Sequence, residues 1–507
     1  MYDIKLIRVT PFGFVFQVVT DTAYVTQPYD IYLNGERYSS DNRNVVSIFE
    51  LKPSHDYQLE LRFETGERTG LNVQTAPATY VINVRDYNAT GDGIANDTAA
   101  LNMALYTAPK GAVVYVPSGE YLVDQLLLRS NLDIYLSQGA VIKQSYERAN
   151  LAIVKAYQKN HDHSAVTINS SWEGHPLDTY ASLIYGKDIE QVNIYGHGVL
   201  DGNGDIGGFW HNPKVKNKAY RPKNIFLSNC KQVNLIGITS RNSASWNIHP
   251  FYCEHIDLLD IKVHSVADSP NTDGINPESC DHVRMLGCHF SVGDDCIAIK
   301  AGKYYMATAH YKVTHDILID NCYMEKGHGA VVIGSEMSCG VQGVRVSNCV
   351  FKDTDRGLRI KTRRGRGATA TVQRIQLDNV SMDGVEHCLV LNMFYNCDPD
   401  GKSHYVKDKT ITRPDDQTPF IGDISFKNVV ARGIRGSAVF AYGLPEQPIQ
   451  NLRVENCQFD FAPDRQQYPY PAMMCDFAAV ENLGVFVKNT HYTEVNAQFS
   501  GQYTKVL

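Results

Sequence analysis

Hydrophobic and polar residues alternate over short stretches along most of this chain, and long helical patterns are scarce. Leu59, Leu61 and Phe63 alternate with Glu60 and Arg62. This period of two is typical of a strand with one buried face, because successive side chains of a strand point to opposite sides. The pattern therefore predicts a chain built mainly from short strands.

Two further features predict a separate β module in residues 1–78. Asn34-Gly35 lies between two apolar runs, where residues that tolerate positive φ form a tight hairpin. Residues 51–57, Leu-Lys-Pro-Ser-His-Asp-Tyr, resemble the tyrosine corner of fibronectin type III domains, in which the tyrosine hydroxyl bonds to backbone a few residues upstream. Such a module serves as a spacer, an interface, a wall of an active site or an inert domain, and the sequence leaves these four roles open.

A short unit recurs after this module. Each copy has apolar residues at its first and third positions and Gly, Asp or Asn at its fifth, where a left-handed bend is favoured. The eight copies begin at Val233, Ile256, Val283, Ile317, Val344, Ile375, Ile424 and Leu452. Their spacing of 23 to 49 residues is too irregular for a leucine-rich repeat or a propeller. It favours a right-handed parallel β-helix, whose coils are short strands joined by loops of variable length.

We predict that this β-helix occupies residues 79–507. Apolar residues spaced for one face indicate a short helix near 97–106, begun by Asn96 or Asp97 and ended before Pro109. This helix would cover the open end of the first coil and protect its edge. The predicted fold is all-β: a small fibronectin type III-like β-sandwich followed by the β-helix.

Composition narrows the classes of partner. The 507 residues are 43% hydrophobic and 20% charged, which excludes general disorder. A net charge of −7 argues against sequence-independent binding of nucleic acid. No stretch approaches the ~20 apolar residues of a membrane span. The amino terminus lacks the apolar run of a signal peptide, so we expect a cytoplasmic protein, or a secreted one if a signal has been removed.

The cysteines do not indicate a metal site or a disulfide scaffold. All twelve lie between Cys230 and Cys475, and no two have the C-x-x-C spacing of a metal site. Most stand beside apolar residues that fit strands. We therefore predict that they are small buried hydrophobic residues.

Candidate chemistry emerges when successive coils are stacked. Neighbouring coils lie about 4.8 Å apart, so residues at similar offsets from the repeat unit form one column. Six charged or titratable residues follow their unit by 11 to 17 positions: Asp273, Asp294, Asp295, His328, Arg359 and Lys361. Three clustered carboxylates repel one another, which raises the pKa of at least one and keeps it protonated near neutral pH.

A protonated acid facing an ionised carboxylate is suited to hydrolysing a glycosidic bond, with inversion if a water fits between them. Arg359 and Lys361 suggest a sugar that carries a carboxylate, because a guanidinium matches that group well. They belong to a run of six cations between residues 356 and 366 that contains no acid. This run predicts a positive patch facing an acidic substrate.

Each of these features also has a structural interpretation. Adjacent aspartates often form a turn, and a glycine-flanked histidine often lies at the surface. A basic run is commonly a solvated face or a site for nucleic acid or phosphate, and a β-helix can be a spike or adhesin scaffold. The matched offsets on four consecutive coils favour the catalytic interpretation.

Four segments, in this order along the chain, resemble glycoside hydrolase family 28, the polygalacturonases. They are Asn271-Thr-Asp-Gly274, Gly293-Asp-Asp-Cys296, Gly327-His-Gly329 and Arg359-Ile-Lys361. Supporting matches extend over most of residues 81–460. The resemblance implies that Asp294 is the general acid and that Asp273 and Asp295 activate water. It implies that His328 orients the acid.

The resemblance also implies that Arg359 and Lys361 bind the substrate carboxylate and that Tyr395 contributes to a sugar subsite. Three further candidate substrate-binding residues are Asn271, Glu336 and Arg364. No metal and no other cofactor is expected. The expected partner is an acidic pectic oligo- or polysaccharide, without nucleic acid or membrane.

Two features are similar to bacterial exo-acting members. One is the pair of segments Asn276-Pro-Glu278 and Gly334-Ser-Glu-Met337, and the other is the amino-terminal module. Insertions near 143–180, 301–311 and 396–420 could close one end of the cleft, although loops also vary without consequence. We expect inverting, exo-acting hydrolysis of α-1,4-galacturonosidic bonds. Endo-polygalacturonase, hydrolysis of rhamnogalacturonan or xylogalacturonan, a Ca²⁺-dependent lyase and a non-catalytic pectin-binding scaffold remain alternatives.

Overall fold

The computed structural model describes residues 2–20, 22, 24–159, 166–463, 471–474, 476–477 and 483–507. Strands dominate these residues. Within the described ranges, the helical elements are three α-helices, Thr98–Thr107, Tyr304–Ala309 and His404–Lys407, and two 3-10 helices, Val84–Tyr87 and Pro399–Lys402. None of the helices in these ranges has the length and apolar character needed to cross a membrane.

The amino-terminal module consists of two antiparallel sheets. One contains Asp3–Thr10, Gly13–Val19 and Val45–Ile48, and the other contains Glu36–Asp41, Tyr29–Leu33, Asp56–Phe63 and Arg68–Gln74. The predicted hairpin is present, with positive φ at Asn34 and Gly35. The backbone N–H of Lys52 donates to the hydroxyl of Tyr57 over 3.0 Å, as the tyrosine-corner pattern predicts. The likeness to fibronectin type III and the boundary after residue 78 stay predictions.

A parallel β-helix follows, and its largest sheet contains 23 strands among the residues that the structure describes. Their bounds are Val81–Asn83, Asp92–Asn96, Val113–Val116, Gly119–Val123, Leu132–Leu136, Ala140–Gln144, Glu190–Gly196, Val199–Asp201, Lys231–Ile236, Thr239–Arg241, Glu254–Leu259, Lys262–His264, Asp281–Leu286, His289–Ser291, Thr314–Asp320, Tyr323–Glu325, Val341–Lys352, Thr371–Asp383, Phe420–Ile434, Ile449–Glu455, Gln458–Phe461, Thr490–Val495 and Gln498–Ser500. The right-handed parallel β-helix predicted from the repeat is confirmed.

A second parallel surface, which we call the cleft sheet, runs along another side of the coils. Its strands are Leu126–Leu127, Ile184–Lys187, Ile225–Ser228, Ile248–Phe251, Ile297–Ile299, Val331–Gly334, Arg356–Lys361, His387–Asn392, Ser437–Tyr442, Leu483–Lys488 and Thr504–Val506. Bridges at Ile275 and Glu278 join its two parts. Two small antiparallel pairs lie outside the coils, Ile153–Val154 with Thr179–Tyr180 and Tyr157–Lys159 with Val166–Ile168.

The fifth position of the repeat has the backbone geometry that the sequence predicts. All eight residues there have φ between 49° and 71°: Gly237, Asp260, Gly287, Asn321, Asn348, Asn379, Asn428 and Asn456. Residues that enter the left-handed region at low cost are needed at this bend in every coil. The repeat therefore marks where one short strand ends and the next begins.

The predicted capping helix spans Thr98–Thr107 and contributes Leu101, Ala104 and Leu105 to the core of the β-helix. Asp97 is the N-cap residue, and the side chain of Asn96 before it accepts a hydrogen bond from the backbone N–H of Thr98 over 3.0 Å. The Asp97 side chain instead accepts from backbone N–H groups of the preceding loop. The helix covers the apolar interior at the amino-terminal end of the coils.

The amino-terminal module packs on the large sheet. Phe49 lies against Tyr135 and Tyr195 in a shared apolar cluster, and Arg8 forms a 2.7 Å ion pair with Asp257. None of its described residues lines the cleft discussed below. Of the four roles that the sequence leaves open, this contact supports the interface and does not support the wall of an active site.

Eleven cysteines fall within the described residues, and all carry free thiols. Ten are buried, and Cys397 is partly exposed. The prediction that cysteines act as small buried hydrophobic residues is confirmed for these ten. Cys475 lies outside the described residues.

Candidate active site

Strand register brings the predicted carboxylates together. Ile275 pairs with Ile297, and Ile297 pairs with Val331 in the next coil. This register puts Asp273 and Asp295 at the same position of adjacent coils, and likewise Asp294 and His328. The backbone N–H of His328 donates to the carbonyl of Asp294 over 3.0 Å.

These residues line a cleft of about 240 Å³ on the cleft sheet. Nine of the ten candidate site residues line it: Asn271, Asp273, Asp294, Asp295, His328, Glu336, Arg359, Lys361 and Tyr395. They come from loops and strands of five consecutive coils. The matched offsets in the sequence therefore correspond to one surface of the folded chain.

Asp294 is the most exposed of the three aspartates and faces His328. The Nδ1 atom of His328 lies 3.3 Å from Asp294 Oδ1. Burial alone would raise the pKa of Asp294, but the hydrogen bond and charge of His328 outweigh it and lower that pKa to about 2. The same hydrogen bond raises the pKa of His328 to about 9. The unliganded pair is thus an imidazolium beside a carboxylate at neutral pH.

Asp273 has the opposite electrostatic environment. Its side chain is buried, and its Oδ2 atom accepts a 2.7 Å hydrogen bond from the amide of Asn276. Burial and the nearby charge of Asp294 raise the pKa of Asp273 to about 8. The raised carboxyl pKa that the clustered charges predict therefore falls on Asp273 and not on Asp294, the residue that the resemblance makes the general acid.

Asp295 is held by a lysine from two coils further along. Lys361 Nζ donates to Asp295 Oδ2 over 2.9 Å. The buried Oδ1 atom has no hydrogen-bond partner among the described residues. This orphan oxygen is free to accept a proton or a hydrogen bond from a molecule in the cleft.

Arg359 is a buried cation with unused donors. Its Nε and Nη2 atoms find no hydrogen-bond partner in the described part of the chain. The guanidinium carbon lies 5.9 Å from the ring centre of Tyr395, which itself lines the cleft. A buried guanidinium with free N–H groups is suited to binding a carboxylate in the fork geometry.

Asn271 and Glu336 lie at the cleft with partners already in place. Asn271 accepts from Arg221 over 2.6 Å, and its amide lies 3.5 Å from Asp294 Oδ2. Glu336 accepts from Lys300 over 2.8 Å. Burial alone would raise the pKa of Glu336, but Lys300 and Lys303 lower it well below its usual range.

The prediction for Arg364 is wrong. Its guanidinium faces away from the cleft and donates to both carboxylate oxygens of Glu446 and to three backbone carbonyl oxygens. Arg363 and Arg366 also turn aside and pair with Asp398. Only two cations of the basic run, Arg359 and Lys361, line the cleft, because a strand and the turn after it send successive side chains in different directions.

Sequence reasoning missed Lys300, which lies five residues after Asp295. Its side chain is buried, lines the cleft and stands 5.3 Å from the ring centre of Trp246. Burial alone would lower the pKa of Lys300, but Glu336, Asp273 and Asp295 raise it. Its place directly after the strand Ile297–Ile299, on the same coil as Asp295, was the signal in the sequence.

The three predicted insertions meet at Lys303. Its backbone N–H donates to the carbonyl of Gly174 over 3.1 Å, and its Nζ atom lies 3.1 Å from Asp398. Tyr157 and Tyr305 add a contact between hydroxyls at 3.2 Å. Segments near 143–180, 301–311 and 396–420 thus touch one another at one end of the cleft.

Residues 168–175, which we call the crossing segment, lie over the early strands of the cleft sheet. Lys223 Nζ donates to the carbonyl of Ser171 over 2.7 Å, and Trp172 stacks on Tyr220. Ser228 binds the carbonyl of Ile168. Since these partners precede the coil of Asp273, the crossing segment covers the sheet on the amino-terminal side of the aspartates.

Among the described residues, one group has metal-binding atoms close together, and it lies outside the cleft. Asp281, His282 and Asp316 place one donor atom each within 4.8 Å of the others at the surface. In the cleft, the partners of Asp294, Asp295 and Glu336 are a histidine and two lysines. The cleft is therefore arranged for acid–base chemistry on an anionic molecule.

Known proteins resemble this chain over most of its length. The family model for glycosyl hydrolases family 28 matches residues 111–462. A probable polygalacturonase of Vitis vinifera is 30% identical over 399 residues, covering 76% of this chain and 75% of its own. An exo-poly-alpha-D-galacturonosidase of Dickeya chrysanthemi is 25% identical over 496 residues, covering 83% of this chain and 79% of its own.

Two solved structures share the fold. An exopolygalacturonase of Thermotoga maritima has a TM-score of 0.67 at 23% identity, covering 84% of this chain and 92% of its own. A family 28 exopolygalacturonase of Yersinia enterocolitica has a TM-score of 0.69 at 18% identity, covering 100% of this chain and 97% of its own. The matched family model spans well over half of the sequence. This chain is a glycoside hydrolase and belongs to glycosyl hydrolases family 28.

Proposed function

We propose that this protein is an inverting exo-polygalacturonase that hydrolyses α-1,4-galacturonosidic bonds in galacturonan or its oligomers. The observation that carries the proposal is the convergence of Asp273, Asp294 and Asp295 with His328 beside the unpaired guanidinium of Arg359. The names of the relatives support the same substrate. The partner is an acidic pectic saccharide.

Asp294 delivers the proton to the leaving sugar. In the unliganded cleft this proton is stored on His328, 3.3 Å from Asp294 Oδ1. A bound sugar excludes water from the pair, and low dielectric favours its neutral form, in which the carboxyl carries the proton. The proton then passes to the glycosidic oxygen as the bond to the anomeric carbon breaks.

Asp295 and Asp273 act on the attacking water. The orphan Oδ1 of Asp295 accepts one water proton while the water oxygen bonds to the anomeric carbon. Asp273 keeps its own proton near neutral pH and holds the water through a hydrogen bond. Asp295 takes one proton from the water and Asp294 gives another to the leaving oxygen, which together satisfy the atom balance of an inverting hydrolysis.

Arg359 and Lys361 bind a uronate carboxylate on the leaving side of the site. Both are buried, and Lys361 also fixes Asp295. Recognition of substrate and placement of the base are therefore coupled through one lysine. A neutral sugar would leave the Arg359 guanidinium buried without a partner, which is costly.

The crossing segment supports exo action. It covers the cleft sheet ahead of Asp273, and its Glu173 lines the cleft with Lys214, its partner at 2.8 Å. A long polysaccharide running through the cleft would collide with this segment, whereas a chain end would fit against it.

The predicted cytoplasmic location stays a prediction, and cell fractionation of the source organism tests it.

A timed product analysis tests the reaction. Polygalacturonate and trigalacturonate are incubated with the protein, and products are followed by chromatography and by NMR of the anomeric proton. We expect short products of one length from the earliest time, with the inverted anomer. A ladder of intermediate oligomers would contradict exo action, an unsaturated product would indicate a lyase, and no cleavage of either substrate would contradict the proposal.

A matched pair of variants tests the acid. Asp294→Asn should lower kcat by several orders of magnitude with folding intact, because the amide keeps the shape but cannot donate an acidic proton. Asp205→Asn, at an exposed loop position, serves as the control and should retain full activity. Equal activity of the two variants would favour a non-catalytic scaffold.

A further inference from the structure

Lys300 is positioned for more than structural support. Ile299 pairs with Ile333, and Gly334 pairs with Lys361, so extending the first register by one residue aligns Lys300 with Gly334 and Lys361. The glycine between them carries no side chain, so two lysines face the cleft from positions two coils apart. At about 4.8 Å per coil the backbones at these two positions lie about 10 Å apart, on the scale of two linked sugar rings.

The ammonium of Lys300 has bonding capacity left. It donates to Glu336 Oε2 over 2.8 Å and to the carbonyl of Gly334 over 3.2 Å. An ammonium has three N–H donors, and the third has no partner among the described residues. Glu336 and the indole of Trp246 hold the lysine in place at the cleft wall.

The position relative to the aspartates is distinct from that of the other cleft cations. Arg359 and Lys361 lie beyond His328 toward the carboxyl-terminal coils, whereas Lys300 belongs to the coil of Asp294 and Asp295. A uronic acid polymer carries one carboxylate per sugar. Two sugars joined by the bond under attack would therefore present a carboxylate to each group of cations.

We infer that Lys300 binds the carboxylate of the uronate on the side of the scissile bond opposite to the sugar held by Arg359 and Lys361. This inference rests on the proposed function and adds a second specificity-determining cation to it. With Lys300, the cleft binds the carboxylates of two consecutive sugars instead of one. A substrate with an uncharged sugar at either position loses one charge-assisted hydrogen bond.

Binding measurements with defined oligomers test this assignment. Trigalacturonate and trigalacturonates carrying one methyl ester on a chosen sugar are titrated into the Asp294→Asn protein, in which turnover is suppressed. The ester removes the charge and keeps most of the shape. We expect esters on two of the sugars each to weaken binding by about tenfold or more, since hydrogen bonds to charged groups carry that energy.

Lys300→Met in the same Asp294→Asn background then tests whether Lys300 binds a carboxylate directly or acts through its neighbours. It should weaken binding of the unmodified oligomer by about tenfold and abolish the penalty of one of the two esters, while Lys300→Arg restores that penalty. The control is Lys231→Met, which removes a surface lysine paired with Glu254 and should change nothing. Loss by the same factor with every oligomer would show that Lys300 acts only through Glu336 and the aspartates, and would overturn the inference.

The ester series alone remains decisive if Lys300→Met does not fold, because sensitivity to a single ester position overturns the inference without any lysine variant. Turnover by the unmodified protein is measured separately. Two sensitive positions without any cleavage would support the recognition of two carboxylates and contradict the proposed hydrolysis. Failure to bind any galacturonate oligomer would overturn both.

Discussion

The two halves of the basic run, residues 356–361 and 362–366, meet different environments. In the first half, Arg359 and Lys361 stand on a strand of the cleft sheet and face the cleft. In the second half, Arg364 and its neighbours leave the strand and bind carboxylates of distant segments. Cations that are adjacent in sequence thus serve two purposes, substrate recognition and attachment of loops.

The two groups of cations differ in whether their N–H donors form hydrogen bonds within the protein. The terminal nitrogens of Arg364 are all hydrogen-bonded within the protein, whereas Arg359 keeps Nη2 and Nε buried without partners. Unsatisfied buried donors lower the stability of the folded state. A cleft cation therefore preserves binding capacity at the expense of stability, and a structural cation does the reverse. Substitutions in the two halves should separate these properties.

The largest effect is expected for Arg364→Met. Removing this guanidinium leaves the buried carboxylate of Glu446 and three carbonyl oxygens without their donor. Breaking one partner of a buried ion pair costs about 3–5 kcal/mol of unfolding free energy. Urea denaturation measures the loss, and kcat/KM of the remaining folded protein should stay within a few-fold. An unchanged free energy of unfolding would contradict the structural role assigned to Arg364.

The next effect is expected for Arg359→Met, and it should fall on activity. Loss of the guanidinium removes charge-assisted hydrogen bonds to the substrate carboxylate, so kcat/KM on trigalacturonate should fall about 100-fold. The unfolding free energy should be unchanged or higher, because two unpaired buried donors disappear. A large loss of stability with normal kinetics would assign Arg359 to the structural group instead.

The smallest effect extends the comparison to a cleft acid, Asp273. Unfolded aspartic acid ionises near pH 4, whereas folded Asp273 keeps its proton up to about pH 8. Between these values the folded state binds more protons, so the unfolding free energy falls as the pH rises. From pH 6 to pH 8 this contribution is about 2 kcal/mol.

Asp273→Asn should remove that contribution. Urea denaturation of the variant and of the unmodified protein at pH 6 and pH 8 gives the difference, and the variant should lose less stability over this interval. Asp205→Asn, the exposed control, should follow the unmodified protein. Parallel behaviour of Asp273→Asn and the unmodified protein would mean that Asp273 is already ionised at pH 6.

Local sequence determined much of the architecture. The recurring short unit, with Gly, Asp or Asn at its fifth position, predicted coils that bend at fixed places, because the left-handed conformation is a property of single residues. The tyrosine corner and the Asn34-Gly35 hairpin are local in the same sense. The offsets of the aspartates and His328 could be compared across coils because each coil has the same strand spacing.

Only the tertiary structure decided how charges are used. The partners of Arg364 and Lys303 lie about 80 and 95 positions away along the chain, at Glu446 and Asp398. Pairings of that range depend on where whole loops pack, which no repeat in the sequence encodes. The proton on Asp273 likewise follows from burial and from the charge of Asp294. Periodicity along the chain specifies backbone geometry, whereas ionisation and ion pairing are set by neighbours that folding brings into contact.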